Sequence, residues 1–246
     1  MSDSLFNQPC NRSETAIMMK PLVLLPGLLC DSRLWRDVAW SLRDVAAPMV
    51  ADLTLDDAIP EMAARTLAVA PPRFALAGLS MGGYVAFEIL RQAPERVTHL
   101  ALFDTSARPD TPERQAARRG GIADVEKGKF IGVSRGLLPS LLAPHNLETP
   151  LAEEVQAMAE RLGKGAYIRQ QTAIMNRIDS RPDLGGIAIP ALVGVGALDK
   201  LTPPELAQEM ADAIPNATLT HFSDSGHLPP MENPDPVAAA LRRLLA

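Results

Sequence analysis

Six short runs of almost unbroken apolar residues punctuate the chain, at 22–25, 48–53, 74–77, 97–103, 189–195 and 218–222. Runs of four to seven residues without polar alternation suit strands buried on both faces, as in a parallel sheet. Between them the period turns helical. Leu34, Val38 and Leu42 share one stripe across residues 33–42, and 82–92 is apolar nearly all round. Residues 203–214 open on proline, which a helix tolerates in its first turn because no N–H is needed there. Alternating strand and helix predicts a mostly parallel, doubly wound α/β sheet of six strands.

The rhythm breaks between Phe103 and Ile187. Helical spacing returns at 151–162, through Leu151, Val155, Met158 and Leu162, and again at 166–176, with glycines and prolines between the pieces. No strand is evident there. A helical insertion after the fourth strand would cover the carboxyl edge of the sheet, where open α/β sheets bind ligands. The expected organisation is an N-terminal extension over 1–20, an α/β core over 21–106 and 183–246, and a helical cap over 107–182.

Composition narrows the class. A chain of 246 residues suits one large domain, and a net charge of −5 argues against a nucleic-acid binder. No apolar run approaches the ~20 residues of a membrane span. Residues 1–20 are polar and lack an apolar core, so no secretory signal is expected, and Met18 and Met19 allow a shorter start. Cys10 and Cys30, with no CxxC spacing, give neither a disulfide framework nor a zinc site. A cytoplasmic protein is expected.

The most informative stretch runs from Phe74 to Glu88. An apolar strand enters Gly78-Leu79-Ser80-Met81-Gly82, and an apolar helix follows at once. This is G-x-S-x-G in its strand–turn–helix setting, where a strained turn projects the serine hydroxyl. A serine needs a base, and the base needs an orienting group. In nucleophile-elbow enzymes these follow in the order Ser, acid, His. Of His99, His145, His221 and His227, only His227 follows the last strand and precedes the last helix, on the elbow's edge of the sheet. Asp199, just after the fifth run, is the matching acid. Asp104, after the fourth run, is a rival acid, while Asp179 and Asp224 suit the role less well. An oxyanion hole requires two backbone N–H donors. Met81, after the serine, and Leu28, in the loop Leu25-Pro26-Gly27-Leu28, are the candidates.

These segments, with Leu34-Trp35, Gly196-Ala197-Leu198-Asp199 and Gly226-His227-Leu228-Pro229-Pro230-Met231-Glu232-Asn233-Pro234, resemble the α/β-hydrolase superfamily over residues 21–246. The likeness lies in the group of small capped carboxylesterases that includes pimeloyl carrier-protein methyl esterases and 3-oxoadipate enol-lactone hydrolases. It implies an α/β-hydrolase fold and a cofactor-free, metal-free serine hydrolase. Such an enzyme would cleave esters, thioesters or lactones of small to medium acyl groups through an acyl-enzyme on Ser80. Three departures stand out. Pro26 stands where a histidine often braces the oxyanion loop, little sequence precedes the first run to form the fold's usual opening antiparallel strands, and residues 53–74 are compressed. A carbon–carbon bond hydrolase of the same fold and a non-catalytic small-ligand receptor are the alternatives. Leu228 stands where carbon–carbon hydrolases usually carry an aromatic residue. The cap holds 12 Lys or Arg against nine Asp or Glu. Such a surplus would suit an anionic small-molecule ester or an acidic acyl-carrier protein, with no nucleic-acid or membrane partner expected.

Overall fold

The computed structural model describes residues 19–128 and 130–246, which leaves Cys10 and nearly all of the 1–20 extension outside the described residues. Lys20 belongs to the core, because its N–H pairs with the Val45 carbonyl (3.0 Å) and opens the first strand.

The strands are β1 (Lys20–Leu25), β2 (Ala46–Val50), β3 (Phe74–Leu79), β4 (Val97–Phe103), β5 (Ala191–Gly196) and β6 (Ala217–Phe222). They form one all-parallel sheet in the order β2-β1-β3-β4-β5-β6. β3 and β5 are buried along their whole length, as unbroken apolar runs require. β2 begins earlier than the apolar run at 48–53 and stops at Val50. Its place at the sheet edge tolerates Pro48, and Ala51 and Leu53 are buried beyond the strand end instead of in the ladder.

The helices are α1 (Arg36–Ser41), α2 (Ile59–Val69), α3 (Met81–Gln92), α4 (Pro112–Lys127), α5 (Leu138–Leu141), α6 (Pro150–Met175), α7 (Pro204–Ala213), α8 (Pro229–Glu232) and α9 (Pro234–Leu245). One hydrophobic core, containing Trp35, Val38, Phe103, Leu241 and Leu245, seats α1 and α9 on one face of the sheet. A second core, with Met62, Val85, Phe87 and Met210, seats α2, α3 and α7 on the other. No helix among the described residues is long and apolar enough to cross a membrane.

Between β4 and β5 the chain is helical, as its periodicity predicts. The two segments expected at 151–162 and 166–176 are the halves of α6, divided where Gly163 leaves helical geometry (φ 72°, ψ −176°). α4 carries no apolar stripe and buries no residue, so periodicity does not announce it. A Thr111 N-cap, Pro112 in the first turn and the Arg118–Asp110 ion pair (2.5 Å) define it instead.

The carboxyl edge is packed backbone to backbone. A Cβ added to Gly196 would lie 1.8 Å from the Gly226 carbonyl oxygen, whereas one on exposed Gly185 would meet nothing within 4 Å. Gly196→Ala is therefore expected to cost about 3 kcal/mol or more, and Gly185→Ala no more than about 0.5 kcal/mol. Denaturant unfolding of the two variants checks this, and equal stabilities would contradict it.

Candidate active site

Ser80 sits between β3 and α3 with φ 53° and ψ −114°, a conformation that L-residues avoid. Its N–H donates to the Phe103 carbonyl (2.9 Å), and its own carbonyl accepts from Gly83 N–H (2.9 Å) and Thr105 Oγ1 (2.7 Å). The turn is forced by the close approach of α3 to β1, because a Cβ on Gly82 would lie 2.3 Å from the Leu25 carbonyl oxygen. Among the described residues three non-glycines have positive φ: Leu29 (55°), Ser80 (53°) and Asp104 (44°). All three lie in the turns just past β1, β3 and β4. Strain of this kind costs of order 1–3 kcal/mol per residue and collects at functional sites.

Asp199 and His227, in the turns after β5 and β6, are both buried and joined by a 2.8 Å hydrogen bond between Oδ2 and Nδ1. The Asp199 carboxylate also accepts from Thr202 Oγ1 (2.7 Å), Leu201 N–H (2.8 Å) and Thr202 N–H (3.2 Å). Burial pushes its pKa up, but the neighbouring His227 and these donors outweigh burial and hold it below the ordinary 3.8. The His227 loop is tied down on both sides. Glu232 accepts from Gly226 N–H (2.8 Å) and Leu228 N–H (3.3 Å) with one oxygen. With the other it accepts from Ala143 N–H (2.7 Å) and Asn146 Nδ2 (3.0 Å), and His227 N–H donates to the Leu141 carbonyl (2.8 Å). The inserted segment thus holds the histidine loop directly. Ser80 Oγ makes no hydrogen bond to His227 in this structure. Resting enzymes often leave that contact open until substrate arrives.

Asp104 joins the same cluster, with a carboxylate oxygen of Asp104, one of Asp199 and a ring nitrogen of His227 all within 4.8 Å of one another. Its Oδ1 accepts from Gly196 N–H (2.8 Å), and its Oδ2 is buried without a donor among the described residues. Desolvation first, and then the Asp199 charge, drive its pKa well above 3.8. The two carboxyls are thus pushed in opposite directions, Asp104 up and Asp199 down, which makes Asp199 the better partner for an imidazole.

The N–H groups of Leu28 and Met81 enter no backbone hydrogen bond of the turns and caps among the described residues. Met81 opens α3, where orphan N–H groups and the helix dipole favour negative charge. A Cβ on Gly27 would lie 3.5 Å from Ser80 Cβ, so the loop before Leu28 rests against the serine.

The sequence matches the α/β-hydrolase fold family over residues 66–234. The chain belongs to the α/β-hydrolase family. A pimeloyl-[acyl-carrier protein] methyl ester esterase from Aliivibrio salmonicida is 26% identical over 244 residues, covering 91% of each chain. A malate-bound thermophilic esterase from Thermogutta terrifontis superposes with a TM-score of 0.83 at 30% identity, over 92% of this chain and 89% of that one. An enol-lactonase from Burkholderia xenovorans shares the fold, with a TM-score of 0.77 at 23% identity over 92% and 91% of the two chains.

In this α/β-hydrolase the strand order delivers Ser80, Asp104, Asp199 and His227 from four neighbouring strands, β3 to β6. Trp35 and Met158 are core, Leu137 is exposed, and Tyr84 packs under the Arg177 guanidinium (4.2 Å). Cys30 is a buried free thiol pushed up to about 12 by desolvation. Thr202, Glu232 and Gln170 escaped sequence reasoning. Only the short spacing Asp199–Thr202 and the glutamate six residues after Gly226 carried any signal.

The carboxyl pair gives a pH test. Above about pH 4 the unfolded chain ionises Asp104 while the folded chain retains its proton, so this group's contribution to stability falls as pH rises. Asp199 behaves oppositely: its contribution is full above 3.8 and is lost as pH falls through its lower folded value. Asp104→Asn is expected to gain stability relative to the parent as pH rises from about 4 towards neutrality, with little difference at pH 4. A pH series of melting temperatures checks this, and destabilisation at pH 7 would contradict it.

Proposed function

We propose that this α/β-hydrolase is a serine esterase cleaving carboxylic esters, thioesters or lactones of small to medium acyl groups, with Ser80 as nucleophile, His227 as base and Asp199 as its orienting acid. The observation that carries this is the buried 2.8 Å Asp199–His227 hydrogen bond on the same sheet edge as the strained Ser80 turn. His227 Nε2 takes the hydroxyl proton as Ser80 Oγ bonds to the carbonyl carbon, and the N–H groups of Leu28 and Met81 hold the resulting oxyanion. Collapse breaks the bond to the leaving group, which leaves with the proton from His227. Water then repeats the sequence on the acyl-serine, giving the carboxylic acid and free Ser80. Asp199 stays ionised throughout and stabilises the imidazolium.

Residues 107–182 are the proposed cap over this edge. Their basic surplus supports an anionic acyl group or an acidic carrier protein as part of the substrate, in line with the relative named for a carrier-protein ester. Arg108, Arg118, Arg161, Arg177 and Arg181 are held in ion pairs, so the attracting field is weaker than the count of cations implies.

Hydrolysis of p-nitrophenyl esters from acetate to decanoate tests the proposal. Ser80→Ala and His227→Ala are each expected to lower kcat by at least about 10³-fold, with the chain-length optimum sizing the acyl pocket. Activity surviving in both variants would overturn the assignment. Carboxylate-bearing esters in the same assay should lose their advantage between low and ~0.5 M salt, and a flat response would remove the anionic preference.

A further inference from the structure

The candidate oxyanion turn is strained and internally weak. One backbone bond closes it, from Cys30 N–H to the Gly27 carbonyl (3.1 Å), while Leu29 holds φ at 55° although it carries a branched side chain. Leu29 is buried, so its N–H has no access to water and needs a partner within the protein. That partner comes from the far side of the site. The fully buried Gln170, in the second half of α6, accepts from Leu29 N–H through Oε1 (3.0 Å) and donates from Nε2 to the Leu53 carbonyl (3.1 Å). The neighbouring Arg169 donates to the Thr54 carbonyl (2.7 Å), so the inserted helix is anchored on the turn after β2 as well.

We propose that Gln170 is a positioning residue: reaching from α6, it clamps the 27–30 turn in the strained form that presents the Leu28 N–H toward Ser80.

Three features support the role. A planar amide is the side chain that offers one acceptor and one donor at this reach, and both are used on backbone groups of different loops. Loss of the acceptor would leave the Leu29 N–H buried and unpaired. The turn can escape that penalty by rotating the 28–29 peptide, which also relieves the positive φ at Leu29. With a single backbone bond left to close it, the freed turn would relax as a whole and carry the Leu28 N–H with it. The oxyanion turn would then be complete only while the inserted helix is seated, which couples the insertion to chemistry and not merely to substrate entry.

The inference rests on the acyl-transfer reading for its kinetic consequence but not for its structural one. Two measurements on the full chain separate them: amide hydrogen exchange over residues 26–30, and kcat and KM for a p-nitrophenyl ester. In Gln170→Met, exchange in the turn is expected to quicken at least about tenfold, kcat to fall about 10–100-fold, and KM to stay within about twofold. Gln170→Asn keeps the amide but withdraws it by one methylene, and is a milder variant with the same expected sign. Gln170→Glu retains an acceptor for Leu29 and should recover turn protection and part of kcat relative to Gln170→Met. Turn exchange and kcat equal to the parent's in Gln170→Met or Gln170→Asn, with only the melting temperature lowered, would overturn the proposal. If the parent proves inactive on esters, the esterase reading fails. The exchange result still decides whether Gln170 clamps the turn.

Discussion

The contact of α3 with β1 at Gly82 governs the whole carboxyl edge. With a glycine there, the helix starts close enough to the Leu25 carbonyl that any side chain would collide at 2.3 Å. That proximity leaves no room for a relaxed turn, so Ser80 is driven to φ 53°. The same contact draws the loop after β1 against the serine, where Gly27 can approach Ser80 Cβ. Strain at Ser80, at Leu29 and at Asp104 is thus held by packing on both faces of a six-stranded sheet, the kind of scaffold needed to maintain costly local geometry.

Electrostatics then divides two neighbouring carboxyls into different states. Asp199 has three donors and an imidazole, whereas Asp104 has one backbone N–H and a buried oxygen with none. Two adjacent carboxylates in a buried cluster repel, so the charge is favoured on the one with more hydrogen-bond donors and disfavoured on the other. The same comparison ranks Asp199 over Asp104 as the partner of His227, a choice that residue order alone leaves open.

The frame of the site was legible because its signals are local. Apolar runs marked the strands, glycine spacing marked the elbow, and the position of His227 between the last strand and last helix placed it on the correct edge. What was illegible depends on distant partners. Gln170 acquires its role from Leu29 and Leu53, 141 and 117 residues away, and Glu232 from Ala143, 89 residues away. α4 has no buried face to imprint a period on its sequence, and β2 shifted because an edge strand is governed by its neighbour's register as much as by its own apolar run.

The central claim is that the strained turn and the buried Asp199–His227 pair together make Ser80 nucleophilic. Intact-mass and peptide mapping after treatment with a fluorophosphonate tests it most directly, because the reagent captures an activated serine whatever the natural substrate. The account predicts one adduct, on Ser80, formed readily in the parent and much more slowly in Asp199→Asn. A folded parent that forms no adduct, or one that carries it on another residue, would contradict it.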